Sequence, residues 1–245
     1  MENILIVTGG SRGIGRGIID AYLSDGFSVF SISRTINVEL SEKGVTQINL
    51  DLTSTDQIEV SLLQIFSLFN KEKLTKITLI NNAGTLGKIG PLEKLDAKTI
   101  TQTIQLNTIV PLILSSVFIN YFKDWKASKS IINITSGAAL KPYFGWSIYC
   151  SSKAAINMMT QNIAVEQLGV EHPVKALGIA PGVVDTDMQT EIRRSDKSDF
   201  KDIERFIALK NEGGLSNAAI VGQRIFEMDH DHKLQSGAIL RVEDN

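Results

Sequence analysis

Tyr149 and Lys153 have the residue types and the spacing that acid–base chemistry needs. They lie four positions apart in a segment that predicts a helix, so both side chains share one helix face. We expect the ammonium to favour the phenolate and to lower the phenol pKa from its usual value of about 10. Such a phenol can pass a proton to a carbonyl oxygen near neutral pH. Tyr and Lys also occur at this spacing by chance, so the pair alone leaves both interpretations open.

A hydroxyl and a thiol lie close to this pair in the sequence. Ser136 follows the apolar run 131–134, which predicts a strand, and its hydroxyl could bond the oxygen of a substrate. Cys150 is the only cysteine, which excludes a disulfide framework and a cysteine-based metal site. On a helix it points away from Tyr149, and packing is its favoured role.

A glycine-rich turn, TGGSRGIG at positions 8–15, follows the first predicted strand. Its glycines permit a tight turn and a close approach of the backbone to a pyrophosphate, whose charge would rest on the N-terminus of the next helix. The spacing differs from the usual Gly-x-Gly-x-x-Gly fingerprint of dinucleotide sites. A plain strand-to-helix turn therefore stays an alternative.

The end of the second predicted strand carries Ser33 and Arg34 and no acidic residue. An acid there would hold the ribose hydroxyls of NAD, whereas an arginine accommodates the 2′-phosphate of NADP. Arg12 can reach the same phosphate from the glycine turn, and guanidinium groups bind phosphate oxygens bidentately. We predict NADP(H) in preference to NAD(H). The alternative is that Arg34 is a solvated surface charge.

Short apolar runs alternate with helix-like segments along the whole chain. The predicted strands are 4–7, 28–32, 45–50, 77–80, 131–134, 174–179 and 238–240, and the predicted helices are 14–25, 56–70, 98–123, 147–169 and 216–228. Nearly continuous apolar strands and repeated strand–helix–strand units indicate an α/β fold. We predict a single Rossmann-type domain over residues 1–245, with a doubly wound parallel sheet and helices on both faces.

The segment 187–214 interrupts this alternation after a strand end, where open α/β sheets bind ligands. It is polar and basic at first, and residues 200–209 then place apolar side chains at helical spacing. We interpret it as a small helical lid over a substrate, because irregular insertions at strand ends often carry function. A surface helical insertion is the alternative.

The composition limits the possible partners. The 245 residues are 43% hydrophobic and 21% charged with a net charge of −2, so no basic surplus indicates binding to nucleic acid or to a membrane surface. No run approaches the roughly 18 apolar residues of a membrane span, and we expect a cytoplasmic protein. The three histidines, His172, His230 and His232, make no convincing ligand set, and we predict no metal.

Together these motifs resemble the short-chain dehydrogenase/reductase family over essentially the whole chain. The glycine turn, Asp51, the run NNAG at 81–84 and the run PGVVDT at 181–186 match its cofactor segments. The resemblance implies a catalytic tetrad of Asn107, Ser136, Tyr149 and Lys153, with Tyr149 as general acid and a proton relay from Lys153 through water toward Asn107. It assigns cofactor binding to Gly9, Ser11, Arg12, Gly13, Ile14, Gly15, Ser33, Arg34, Asp51, Leu52, Asn82, Ala83, Gly84, Asn107, Tyr149, Lys153, Pro181, Gly182, Val184 and Thr186.

A finer resemblance points to the sepiapterin-reductase-like branch and, within it, to bacterial benzil reductases that form (S)-benzoin. It covers 133–139, 142–153, 181–189 and 203–206. The substrate residues that it implies are Ser136, Tyr143, Trp146, Tyr149 and Met188. Aromatic and thioether walls suit an aryl diketone, although the same side chains could simply pack the lid. Arg241 stands where sepiapterin reductases carry a pterin-binding acid, which favours the diketone.

The resemblance therefore implies an NADPH-dependent carbonyl reductase that acts on one carbonyl of an aromatic α-diketone such as benzil. Reduction of sepiapterin or a related dicarbonyl is the enzymatic alternative, and a non-catalytic NADPH sensor is a remote one, because fold alone does not establish function. The expected partners are a small carbonyl substrate and further copies of the chain. The helices at 98–123 and 147–169 would form the contacts of a homodimer or homotetramer.

Overall fold

The computed structural model describes residues 1–242 and shows one parallel sheet of seven strands. The strands are β1 (Glu2–Thr8), β2 (Ser28–Ser33), β3 (Thr46–Asn49), β4 (Leu74–Asn81), β5 (Ser128–Ile134), β6 (Val174–Ala180) and β7 (Ile239–Arg241). Their order across the sheet is β3-β2-β1-β4-β5-β6-β7. All seven predicted strands and the doubly wound architecture are confirmed. Residues 243–245, the end of the predicted domain, lie outside the described residues, and the single domain over 1–245 stays a prediction.

The described part of the chain contains nine α-helices. They are α1 (Gly13–Ser24), α2 (Val38–Glu42), α3 (Thr55–Phe66), α4 (Ala97–Ile104), α5 (Val110–Phe122), α6 (Ser147–Glu166), α7 (Asp187–Arg193), α8 (Ile203–Asn211) and α9 (Ala218–His230). The five predicted helices are confirmed, except that a π-helical turn at Gln105–Ile109 divides the helix predicted at 98–123 into α4 and α5. The short α2 lacks the length that a periodicity argument needs, and the sequence did not predict it.

Helices cover both faces of the sheet, which is why its central strands are apolar on both sides. Phe66 of α3 and Phe118 and Phe122 of α5 are fully buried against one face, and α6 packs on the same side. Tyr22 of α1 and Ile225 of α9 are fully buried against the other face. The two layers hold the carboxyl ends of the strands together at one edge of the sheet.

One continuous helical stretch, Ala97–Phe122, is long and apolar enough by length and composition to cross a membrane. This stretch contains no long uninterrupted apolar run, because polar residues are scattered along it, and the sequence therefore did not indicate it as a possible span. Leu114, Phe118 and Phe122 on its second half are at most 1% exposed and pack in the core against the sheet. That packing is typical of a core helix in a folded domain.

The segment 187–214 contains α7 and α8. Phe200, Ile203 and Phe206 are buried in an aromatic and aliphatic cluster together with Trp146 and Tyr149. The segment therefore packs on the beginning of α6 through its own apolar side chains. Its function as a lid stays a prediction.

Candidate active site

A cleft of about 1080 Å³ runs along the carboxyl ends of the strands. The chain leaves β1 toward β2 on one side and returns to β4 on the other, and open α/β sheets bind ligands where the strand order reverses in this way. The predicted cofactor residues that line the cleft are Gly9, Ser11, Arg12, Gly13, Ile14, Gly15, Ser33, Arg34, Asp51, Leu52, Asn82, Ala83, Gly84, Tyr149, Lys153, Pro181, Gly182, Val184 and Thr186. The predicted substrate residues that line it are Ser136, Tyr143, Trp146, Tyr149 and Met188.

The glycine turn is held in shape from the end of β4. The Asn82 side-chain amide donates hydrogen bonds to the carbonyls of Thr8 and Gly9, at 2.9 and 3.0 Å. A Cβ at Gly15 would lie 2.2 Å from the Gly9 carbonyl oxygen, so only glycine fits where α1 meets the turn. No side chain caps the N-terminus of α1. The turn therefore fits a pyrophosphate, because its shape is fixed and the amides of the helix end are not taken by a side-chain cap.

Charged groups of both signs lie at the end of the cleft formed by β2 and β3. The Asp51 carboxylate accepts hydrogen bonds from the Thr53 amide and hydroxyl, at 3.0 and 2.8 Å, which together lower the pKa of Asp51. Arg34 is exposed, lies close enough to contribute to that lowering, and makes no salt bridge with any acid in residues 1–242. Its guanidinium is available to an anionic ligand.

Arg12 lines the cleft, as predicted for a cofactor residue, and its side chain makes a salt bridge there. Its guanidinium pairs with Asp187, the first residue of α7, at 2.6 Å, and both side chains are largely exposed. The pair bridges the glycine turn and the segment 187–214 across the cleft. A residue of the turn and a residue 175 positions later meet here, a contact that no local pattern predicts.

Tyr149 and Lys153 lie on α6, and each is 6% exposed at the wall of the cleft. The Lys153 ammonium donates to the Ile134 carbonyl at 2.8 Å and lies 5.9 Å from the centroid of the Tyr149 ring. Burial lowers the pKa of Lys153 to about 8. Burial also raises the pKa of Tyr149, and the nearby Ser136 hydroxyl offsets this only in part. The predicted direction of the Tyr149 pKa shift is therefore wrong for this structure, because burial outweighs the groups that favour the phenolate.

Asn107 is the one predicted site residue that does not line the cleft. It lies in the π-helical turn, is 1% exposed, and exchanges hydrogen bonds with the backbone of Thr85 at 2.7 and 2.9 Å. Its amide also donates to the Ser152 hydroxyl at 3.1 Å. A Cβ at Gly84 would lie 3.3 Å from Asn107 Oδ1 and 3.6 Å from Lys153 Nζ, so these residues are neighbours. Asn107 supports the wall behind Lys153.

Aromatic side chains form the floor between the catalytic candidates and α8. The Trp146 ring stacks on Phe200 at 4.6 Å between centroids and approaches Tyr149 edge-on at 5.6 Å. Trp146 therefore packs the segment 187–214 and also lines the cleft, and its role in substrate binding stays a prediction. Tyr143 and Met188 are only partly buried and present surface to the cleft.

The sequence did not assign several side chains that line this end of the cleft, namely Lys141, Ile192, Arg205, Phe206 and Arg241. The helical spacing of residues 200–209 was a usable signal for Phe206. The sequence singled out Arg241 only as a replacement for the pterin-binding acid, although its place at the end of the last strand also indicates a cleft residue, since strand ends line such clefts. Among residues 1–242, no group of three His, Cys, Asp or Glu side chains could hold a metal ion.

Comparisons with known proteins agree with this geometry. Residues 3–197 match the family model described as short chain dehydrogenase. A benzil reductase ((S)-benzoin forming) from Bacillus cereus is 40% identical over 98% of this chain and 99% of its own length, and one from Bacillus subtilis is 37% identical over 92% of each. The sepiapterin reductase of Meriones unguiculatus is 33% identical over 99% of this chain and 97% of its own length. The solved structure of KRED1-Pglu has a TM-score of 0.84 and 28% identity, and covers 97% of this chain and 99% of its own.

Proposed function

Because this chain belongs to the short-chain dehydrogenase family, we propose that it is an NADPH-dependent reductase of aromatic α-diketones such as benzil. The family and its benzil reductase relatives make the chain an oxidoreductase of the carbonyl-reductase kind that uses a nicotinamide cofactor. The observation that carries the finer proposal is the presence of Tyr149, Lys153 and Ser136 in the same cleft as the glycine turn. The product would be (S)-benzoin, as the names of the Bacillus relatives state for those proteins.

Each part of the cleft would bind a different part of the cofactor. The glycine turn and the N-terminus of α1 would bind the pyrophosphate, and Asp51 with Leu52 the adenine. Ser33 and Arg34 would bind the 2′-phosphate, joined by Arg12 if its pairing with Asp187 opens. Asn82, Ala83 and Gly84 would line the adenosine ribose. The loop 181–186 would hold the carboxamide through Pro181, Gly182, Val184 and Thr186.

When bound, the reduced nicotinamide supplies a hydride to the carbonyl carbon of the substrate. Tyr149 donates its phenolic proton to the carbonyl oxygen, and the Ser136 hydroxyl donates a hydrogen bond to the same oxygen and orients it. The phenolate that remains is stabilised by the Lys153 ammonium, which is charged below its pKa of about 8. A new proton from solvent water would then reprotonate Tyr149 through the path that joins Asn107 and Lys153. The Asn107 side chain holds the Thr85 backbone in place.

Tyr143, Trp146 and Met188 would bind the aryl groups of the diketone. Their flat or flexible apolar surfaces contact aromatic rings without needing polar partners. Phe206 and Ile192 from the segment 187–214 line the same end, which supports a lid function for that segment.

Oxidation of NADPH with benzil tests this proposal, with NADH as the matched cofactor and chiral chromatography of the product. We expect turnover that depends on protein concentration, a preference for NADPH, and one benzoin enantiomer. A second candidate, reduction of sepiapterin or a related dicarbonyl, is favoured by the identity to sepiapterin reductases. A higher kcat/KM with sepiapterin than with benzil would favour sepiapterin reduction over diketone reduction as the function.

We also propose that the chain assembles into a homodimer or homotetramer in the cytoplasm. Met158 and Val165 on α6, Leu168 just after it and Leu112 at the beginning of α5 are large apolar side chains that are exposed. Exposed apolar side chains of this kind favour contacts between copies. Light scattering after size-exclusion chromatography would give the mass, and a monomer at all concentrations would refute the assembly.

A further inference from the structure

The acidic side chains that line the cleft are already engaged. Asp187 pairs with Arg12 and Asp185 pairs with Lys210, each at 2.6 Å. Asp51 lies at the adenine end and accepts two hydrogen bonds from Thr53. None of these carboxylates is left to neutralise a cation at the end of the cleft where Tyr149 lies.

Besides Arg12, Arg34 and Lys153, the described cations that line the cleft are Lys141, Arg205 and Arg241. None of these last three makes a salt bridge with an acid in the described part of the chain. Two converge on one ring, because Arg205 donates to the Tyr143 hydroxyl at 3.3 Å and the Lys141 ammonium lies 4.8 Å from the centre of that ring. Two of the three cations therefore contact a predicted substrate residue, Tyr143.

Arg241 reaches this end from the last strand. Its backbone pairs with Ala180, directly before the loop 181–186. A Cβ at Gly178 would lie 2.6 Å from Ile239 and 3.5 Å from Thr160 of α6, so Ile239 faces the α6 side of the sheet. Side chains alternate along a strand, which places Arg241 on the same side as α6 and therefore as Tyr149.

We propose that the preferred substrate carries a carboxylate beside its aryl dicarbonyl, and that Arg241 and Arg205 bind this carboxylate. A ligand carboxylate would supply the counter-charge that the described acids do not, and guanidinium groups bind carboxylates bidentately. Neutral benzil makes no use of these charges. This inference rests on the proposed diketone reduction and narrows its substrate class.

The test compares three diketones, namely benzil, 4-carboxybenzil and the methyl ester of 4-carboxybenzil, with NADPH as the reductant. The acid and the ester differ in charge while sharing the reacting carbonyls. We expect kcat/KM for the acid to exceed that for the ester by about tenfold or more, the range of a charge-assisted hydrogen bond. Arg241→Gln and Arg205→Gln should each lower that ratio by about tenfold.

Arg224→Gln is the matched control. Arg224 lies on α9, pairs with Glu227 and does not line the cleft, so its removal changes the net charge equally and should leave the ratio unchanged. Calorimetric titration of 4-carboxybenzil into the protein with NADP⁺, which cannot reduce it, gives a readout without turnover. We expect Arg241→Gln to weaken the Kd about tenfold and added salt to weaken the wild-type Kd.

The outcomes separate this inference from the function on which it rests. If benzil is reduced but the acid is no better than its ester, or neither arginine variant changes the ratio, the carboxylate site is refuted and diketone reduction stands. If no diketone is reduced, the proposed function fails. A titration that then shows no binding of 4-carboxybenzil, or binding that Arg241→Gln does not weaken, would refute the carboxylate site as well.

Discussion

Two buried charged centres lie at opposite ends of the strands of the same sheet and differ in how their charge is balanced. One lies where the strands begin (the amino edge) and the other where they end (the carboxyl edge). At the amino edge, the fully buried Asp229 carboxylate contacts the Lys76 ammonium at 2.9 Å, the Tyr22 hydroxyl at 2.9 Å and the Thr78 hydroxyl at 2.8 Å. At the carboxyl edge, the Lys153 ammonium has the neutral Ile134 carbonyl as its partner, at 2.8 Å, and pairs with no described acid.

The pKa shifts follow from this difference. Burial by itself raises the pKa of Asp229, but Lys76 and hydrogen bonds from Ser130 and Thr78 outweigh it and leave the pKa below its usual value. At Lys153 nothing opposes burial, and the pKa falls to about 8. The first centre joins α9 to β4. The second keeps an unbalanced charge in the cleft, at a cost in stability, where a ligand and a reacting phenol can use it.

Among the replacements of charged residues, that of Lys153 should produce the largest effect on activity. We expect Lys153→Met to lower kcat/KM for benzil by about 10²- to 10³-fold, because the phenolate loses its cation. The free energy of unfolding should nevertheless rise by roughly 1–2 kcal/mol. The depressed pKa of Lys153 represents about 3 kcal/mol of burial cost, which the replacement removes. Loss of the hydrogen bond to the Ile134 carbonyl offsets part of that gain in stability. Urea denaturation and NADPH oxidation on the same preparation measure both. An active variant, or one less stable than wild type, would remove the distinction between the two centres.

Replacing Lys76 should have the opposite pattern. Lys76→Met leaves Asp229 buried without its cation, and we expect the free energy of unfolding to fall by about 3–5 kcal/mol. Activity per folded molecule should stay at the wild-type level, since this centre is far from the cleft. The double replacement Lys76→Met with Asp229→Leu should recover part of the stability, because an apolar pair needs no compensation. If Lys76→Met were as stable as wild type, the ion pair between Lys76 and Asp229 would not stabilise the protein.

Arg34 tests whether another unpaired charge at the carboxyl edge binds a ligand. We expect Arg34→Gln to lower kcat/KM for NADPH by about 10- to 100-fold and to leave that for NADH nearly unchanged, since NADH lacks the 2′-phosphate. Arg224→Gln, on the surface of α9, is the control for the lost charge. An equal loss with both cofactors would assign Arg34 a role other than phosphate binding.

The pH dependence should give the smallest effect. Lys153 loses its proton as the pH rises through about 8, so kcat/KM for NADPH, which reports the free enzyme, should be level below that pH and fall about tenfold by roughly pH 9. The profile of Lys153→Met should be flat over the same interval. A wild-type profile that is flat up to about pH 10 would contradict the depressed pKa.

The sequence predicts what local patterns determine. Alternating apolar runs predicted the strands, and the spacing of Tyr149 and Lys153 predicted a shared helix face. The π-helical turn around Asn107 and the pairing of Arg12 with Asp187 depend on contacts between distant segments. The same holds for the Asp229 centre, whose partners Tyr22 and Thr78 lie 207 and 151 positions away. The pKa of Tyr149 was mispredicted because spacing says nothing about burial or about the Ile134 carbonyl that holds Lys153.

The most direct test of the account is a single-turnover measurement with Tyr149→Phe, in which protein saturated with NADPH is mixed with benzil and NADPH oxidation is followed. Phe preserves the ring and removes only the proton donor. We predict that NADPH binds the variant as tightly as wild type, by fluorescence titration, and that oxidation is about 10³- to 10⁴-fold slower. Oxidation at the wild-type rate in that variant would contradict the role of Tyr149 as the proton donor.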